Sequence, residues 1–113
     1  MSSTRTAWYA ARAVFLHKGL RPSRGKKRVF EERIVILRAA TEKGAIQEAE
    51  REARRYARTT SGVEYVGFVE TFRLFESRLR SGSEVFSLMR STSLTPSRFV
   101  SRYFDDGTER RRK

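Results

Sequence analysis

Apolar residues follow an every-second-residue pattern over several stretches of this chain and recur at helical spacing over two others. In "AWYAARAVFL" (Ala7–Leu16), Trp8, Ala10, Val14 and Leu16 share one parity, and Tyr9, Ala11, Ala13 and Phe15 share the other. Successive side chains of a strand point to opposite faces, so this reads as a strand with Arg12 interrupting one side. Its alanines also suit a helix. Strand is favoured because "VFL" runs into a loop that returns to a second strand-like run. That run, "VFEERIVILRA" (Val29–Ala39), is rich in Val, Ile and Phe. Ile34 and Ile36 face one way in it, and Val35 and Leu37 the other. The loop of about eleven residues between the two runs is longer than most hairpin connections.

"TEKGAIQEAEREARRYARTT" predicts a helix with Thr41 as N-cap and Glu42 in the first turn. Ala45, Ile46, Ala49, Ala53, Tyr56 and Ala57 make its apolar stripe, and Gly62 is the expected stop. "VEYVGFVETFRLFE" (Val63–Glu76) predicts a third strand, kinked at Gly67. A turn around Gly82 then leads to "EVFSLMR", read as a fourth strand. "LTPSRFVSRYFDDG" predicts a short helix, with Thr95 as N-cap and Pro96 at its first position. Phe99, Val100, Tyr103 and Phe104 are its expected buried face, and Gly107 its end.

The order ββαββα predicts an α+β two-layer sandwich: a four-stranded antiparallel sheet with helices on one face. The other face, to which Trp8, Val14, Leu16, Val35 and Leu37 are assigned, is partly apolar. It must meet a partner, a second copy or solvent. Residues 7–107 form the expected single domain, between a flexible N-terminal arm (1–6) and a charged tail (108–113).

A chain of 113 residues with ordinary apolar content is long enough for one core. It contains no cysteine, which excludes disulfides, thiolate zinc sites and cysteine catalysis. "AWYAARAVFL" is too short, and too charged at Arg12, for a membrane span. A cytoplasmic protein without membrane attachment is the expectation. The formal net charge is +12. Such an excess attracts polyanions and also keeps a small domain soluble.

The loop contributes Lys18, Arg21, Arg24, Lys26, Lys27 and Arg28, with no acidic residue among them. It is not a phosphate-binding P-loop. Five residues rather than four separate Gly19 from Gly25, Lys27 stands where a hydroxyl is needed, and no helix follows. Arg51, Arg54, Arg55 and Arg58 form a second basic stripe on the helix. Glu48 and Glu52 are spaced to pair with them, which would leave a solvated, salt-bridged face. Neither cluster has interleaved aromatics, so stacking on single strands is not indicated.

Glu31, Glu32, Glu70 and Glu84 stand in or beside strands, with Arg12 and Arg33 placed to neutralise them in inter-strand ion pairs. Converging carboxylates could instead do acid–base work. His17, the single histidine, has no partner motif. No catalytic triad, metal-ligand spacing or cofactor signature is visible.

"WYAARAVF", "FEERIVILRAATEKGAIQEAEREARRYA", "YVGFVETFRLF" and "GSEVFSLMRS", in that order, resemble the small bacterial family catalogued as domain of unknown function 4288. The likeness runs from about Trp8 to Arg90. Trp8, Tyr9, Glu31, Glu32, Arg33, Ala45, Gly67 and Glu84 match its pattern. The resemblance implies a small bacterial α+β domain, with no reaction, cofactor or catalytic residue attached.

Three readings follow. The favoured one is a non-catalytic interaction module that binds a protein partner or itself through the open sheet face and basic loop. The alternative is a nucleic-acid-binding accessory protein using the loop and the helix arginines. The third is an enzyme, which needs two of the four strand glutamates in one pocket.

Overall fold

The computed structural model describes residues 5–110. Residues 1–4 of the expected arm and 111–113 of the expected tail lie outside them. Strand β1 (Ala7–His17) is central in a three-stranded antiparallel sheet, between β2 (Val29–Ala39) and β3 (Val63–Arg73). Helix α1 (Glu42–Thr59) connects β2 to β3 and covers one face. Helix α2 (Pro96–Tyr103) follows late in the chain.

β1 and β2 pair without interruption from Ala7↔Ala39 to His17↔Val29, so residues of odd number share one face. On that face Tyr9, Ala11, Ala13 and Phe15 are buried. The other side of this layer is α1. Thr41 caps it, its side chain accepting from the Gly44 amide at 3.0 Å. The helix buries Ala45, Ala49, Ala53 and Tyr56. Small side chains let its backbone come close to the sheet, and two aromatics fill what remains. Phe15, fully buried, meets Tyr56 edge-on with ring centroids 4.8 Å apart and leans on Tyr65 at 5.7 Å. At the other end Tyr9, Ala39 and Ala45 make a second cluster with Leu37.

β3 joins β1 through a bulge. Ala13 pairs with Val69 and Phe15 with Tyr65, so Val66, Gly67 and Phe68 together face Val14. Gly67 takes φ 87, a left-handed value that a residue with a Cβ adopts only at a cost. The parity of β3 therefore survives the interruption, and Tyr65 and Val69 both reach the core. The Tyr65 hydroxyl is buried without a hydrogen-bond partner among the described residues, and burial raises its pKa. A buried, unpaired hydroxyl costs stability. Tyr65→Phe is accordingly expected to stabilise the fold by about 1 kcal/mol, seen as a higher midpoint in denaturant.

The structure corrects the sequence expectation in four places. The sheet has three strands, in the order β2-β1-β3, and β3 stops at Arg73 rather than Glu76. "EVFSLMR" forms no ladder. The residues before it close a local turn, in which Glu76 accepts from Arg80 Nε (2.7 Å) and Ser83 Oγ (3.1 Å). These bonds hold the Glu76 carboxyl below its ordinary range. An alternating pattern makes a strand only where an edge is there to pair with, and here none meets it. Secondly, α2 has the expected Thr95 cap and Pro96 start, but it packs against neither the sheet nor α1 and buries no residue. Its Phe99 stacks only on its neighbours Tyr103 (4.8 Å) and Phe104 (5.8 Å). Thirdly, Val35 and Leu37 lie on the helix side, and Ile34 and Ile36 face outward. Lastly, α1 ends at Thr59 with Thr60 as its cap, short of Gly62. Among the described residues no helix is long and apolar enough to cross a membrane.

Candidate polyanion-binding end

The β1–β2 loop projects from the end of the sheet at which α1 also finishes. The Lys18 amide donates to the Gly62 carbonyl at 2.7 Å, and β3 starts directly afterwards, with Val63 opposite His17. Arg54, Arg55 and Arg58 sit within the last turns of α1. They are therefore brought to the same end as Lys18, Arg21, Arg24, Lys26, Lys27 and Arg28. Within the loop a tight turn runs from Ser23 to Lys26, the Lys26 amide donating to the Ser23 carbonyl at 2.9 Å. Gly25 supplies the left-handed residue that this turn needs, at φ 82. The C-terminal segment returns here as well. Arg110 Nη2 donates to the Arg21 carbonyl at 2.6 Å. Hydrogen bonds from Thr108, helped by the charge of Lys26, hold the Asp106 carboxyl below its ordinary range. A cleft of about 980 Å³ lies between loop, β2 and this segment, with Lys26, Arg28, Phe30 and Arg110 in its walls.

The base of this end is pinned by polar contacts between strands and helix. The Glu31 carboxylate receives the Tyr56 hydroxyl at 2.7 Å and stands 2.7 Å from His17 Nε2. One residue pair along, Arg33 forms two bonds to Glu52, at 2.7 and 3.0 Å, with its guanidinium 3.9 Å over the Tyr56 ring. Burial works against the Arg33 charge, but the Glu52 carboxylate outweighs it and raises the Arg33 pKa. These side chains tie β1, β2 and α1 together just below the loop.

That arrangement decides the electrostatics. The sequence offers Glu48 and Glu52 as partners for the helix arginines. Glu48 does pair with Arg51. Glu52 is turned inward to Arg33 instead. Among the described residues Arg54, Arg55 and Arg58 are therefore left without an ion pair, as are Arg21, Arg24, Lys26, Lys27 and Arg28. Among the described residues, Lys18 is the one loop cation that is paired, to Glu64 at 2.7 Å. The Arg54 guanidinium lies 5.8 Å over the Tyr65 ring.

The strand carboxylates divide between the two faces. On the outer face Arg12 joins Glu70, with Nε 2.7 Å from Oε1, and Glu32, at 3.4 Å. Phe86 covers the Arg12 guanidinium at 5.1 Å. Glu31 and Arg33 face α1 and take no part in that row. Glu84 is on the irregular segment, beside no strand, because the fourth strand is missing. Glu31 and Glu32 both border the cleft, but from opposite faces of β2. Among the described residues no three His, Asp or Glu side chains are placed to hold a metal ion.

Sequence reading missed the links from Tyr56 to Glu31 and from Glu52 to Arg33. The shared odd parity of His17, Glu31 and Arg33 was the available signal. Which carboxylates α1 lowers onto that face depends on how the helix lies across the strands. Compared with family models, curated proteins and solved structures, the chain matches none.

Proposed function

We propose that this chain is a non-catalytic interaction module whose basic end binds nucleic acid, with the backbone of a duplex as the main target. The observation that supports it is the inward turn of Glu52, which leaves Arg54, Arg55 and Arg58 unneutralised beside a loop of equally unpaired cations. Each lysine or arginine that meets a phosphate releases counterions, so binding weakens as salt rises. Two clusters on separate elements let the chain touch successive phosphates. Contacts from these cations to phosphates would fix position rather than sequence. The resemblance to the uncharacterised bacterial family adds no reaction to this reading.

Fluorescence anisotropy with a labelled duplex and an RNA of equal length, across a salt series, tests it. Replacing Lys26, Lys27 and Arg28 with Gln is expected to reduce the slope of log affinity against log salt by up to about 0.9 per lost contact on DNA. The same is expected for Arg54, Arg55 and Arg58. Lys18→Gln, which removes a cation already paired with Glu64, is expected to change little. No binding at low salt, or a slope untouched by either triple substitution, would remove the proposal.

A further inference from the structure

The outer sheet face and the segment after β3 are both apolar and both open. On the face, Phe30 is 55 % exposed, Phe68 49 %, Ile34 47 % and Ile36 41 %. On residues 84–104 of the segment, Met89 is 93 % exposed, Phe104 66 %, Val100 51 % and Leu88 47 %. The two surfaces together leave on the order of 1,000 Å² of apolar side chain in water, comparable with the roughly 800 Å² per partner of a stable interface. The molecule is drawn out accordingly. Its radius of gyration is 16.6 Å, where a compact chain of this length has about 13 Å.

Each surface has what the other lacks. Residues 84–90 carry a strand-like pattern and no ladder, while β2 is an edge strand with one side unpaired. α2 is amphipathic and rests on no other element. Charge does not oppose the contact. The segment from Glu76 to Tyr103 bears Arg78, Arg80, Arg90, Arg98 and Arg102 against Glu76 and Glu84, so it is basic. The β2 side of the outer face bears Glu32 and Arg38 and is neutral. In its own chain the segment reaches this face through Phe86, which stacks on Phe72 at 5.8 Å near the end of β3. Phe30, Ile34 and Ile36 on β2 form the larger open apolar patch, beside Val66 and Phe68 on β3.

We propose that residues 84–104 of one chain dock on the β2 side of the outer face of a second copy, and that the exchange is reciprocal. One donor segment and one acceptor face per chain close under a twofold axis and leave neither surface in excess. A foreign partner would have to supply both. The helix arginines lie on α1, on the opposite face of the sheet, and stay outside the contact.

Sedimentation equilibrium of the full chain tests the state of association. The expected mass is twice the 13.2 kDa of one chain. Ile36→Glu on the face and Met89→Glu on the segment, both at exposed positions, are each expected to give folded monomers by circular dichroism. Because the chain has no cysteine, oxidative cross-linking isolates the geometry. An Ile36→Cys chain mixed with a Val100→Cys chain is expected to yield a covalent dimer holding one of each. A wild-type monomer at about 100 μM, far above the Kd expected of an interface this size, would overturn the proposal. So would a dimer that survives both glutamate substitutions, or the absence of the mixed disulfide. None of these outcomes depends on whether the basic end binds nucleic acid.

Discussion

Phe15→Ala is expected to cost about 3–5 kcal/mol, the largest loss from any single truncation in this fold. Among the described residues Phe15 is the one large side chain that is fully buried, and it stands where β1, β3 and α1 meet. Its neighbours are Tyr56 on the helix and Tyr65 on β3, with Ala13 and Ala53 beside them. Alanines cannot reach into the space a phenyl ring leaves, and Tyr56 is held elsewhere by its bond to Glu31. The cavity would stay open, and an unfilled cavity adds to the lost transfer energy. Small domains are stable by only about 5–15 kcal/mol, so much of the reserve would go. Urea unfolding followed by circular dichroism checks this: the midpoint should fall sharply with the slope unchanged.

Ala53→Leu is expected to be the second largest, and its sign runs against hydrophobicity. Leucine is as good a helix former as almost any residue and buries more apolar surface than alanine. Ala53, however, is 1 % exposed, between Phe15 and Tyr56 where α1 lies against the sheet. Adding three heavy atoms would lift the helix or force side chains off their rotamers, at about 1–3 kcal/mol. Lifting the helix would also stretch the bonds from Glu52 to Arg33. Thermal unfolding should therefore show a lower midpoint for Ala53→Leu. For Ile46→Leu, on the exposed edge of the same helix, it should stay within about 0.5 kcal/mol.

Where local chemistry decides the structure, the sequence could be read almost residue by residue. Thr41 and Thr95 cap their helices, Gly67 breaks β3, and the basic loop fills the gap between His17 and Val29. The reading failed where a pattern needed something distant. Val85, Phe86, Leu88 and Met89 look like a strand, but a strand is a relation between two segments, and these residues pair with neither open edge of the sheet. Val35 and Leu37 lie on the helix side, opposite to the face expected for them. A continuous apolar run such as "IVIL" carries no parity of its own, and only pairing with Ala11 and Tyr9 fixes it. The cations of the candidate site were all visible in the sequence, but their pairing was not. Glu52 could meet Arg55 along the helix or Arg33 across the layer, and only the tertiary packing chooses.

That choice makes Arg33 a regulator of surface potential from within the fold. It sits partly covered between β2 and α1 at the border of the cleft, and it keeps a carboxylate out of circulation. Were it replaced by a neutral residue, Glu52 would be released to swing outward and quench the nearest arginine. The basic end would then lose more than the one charge substituted.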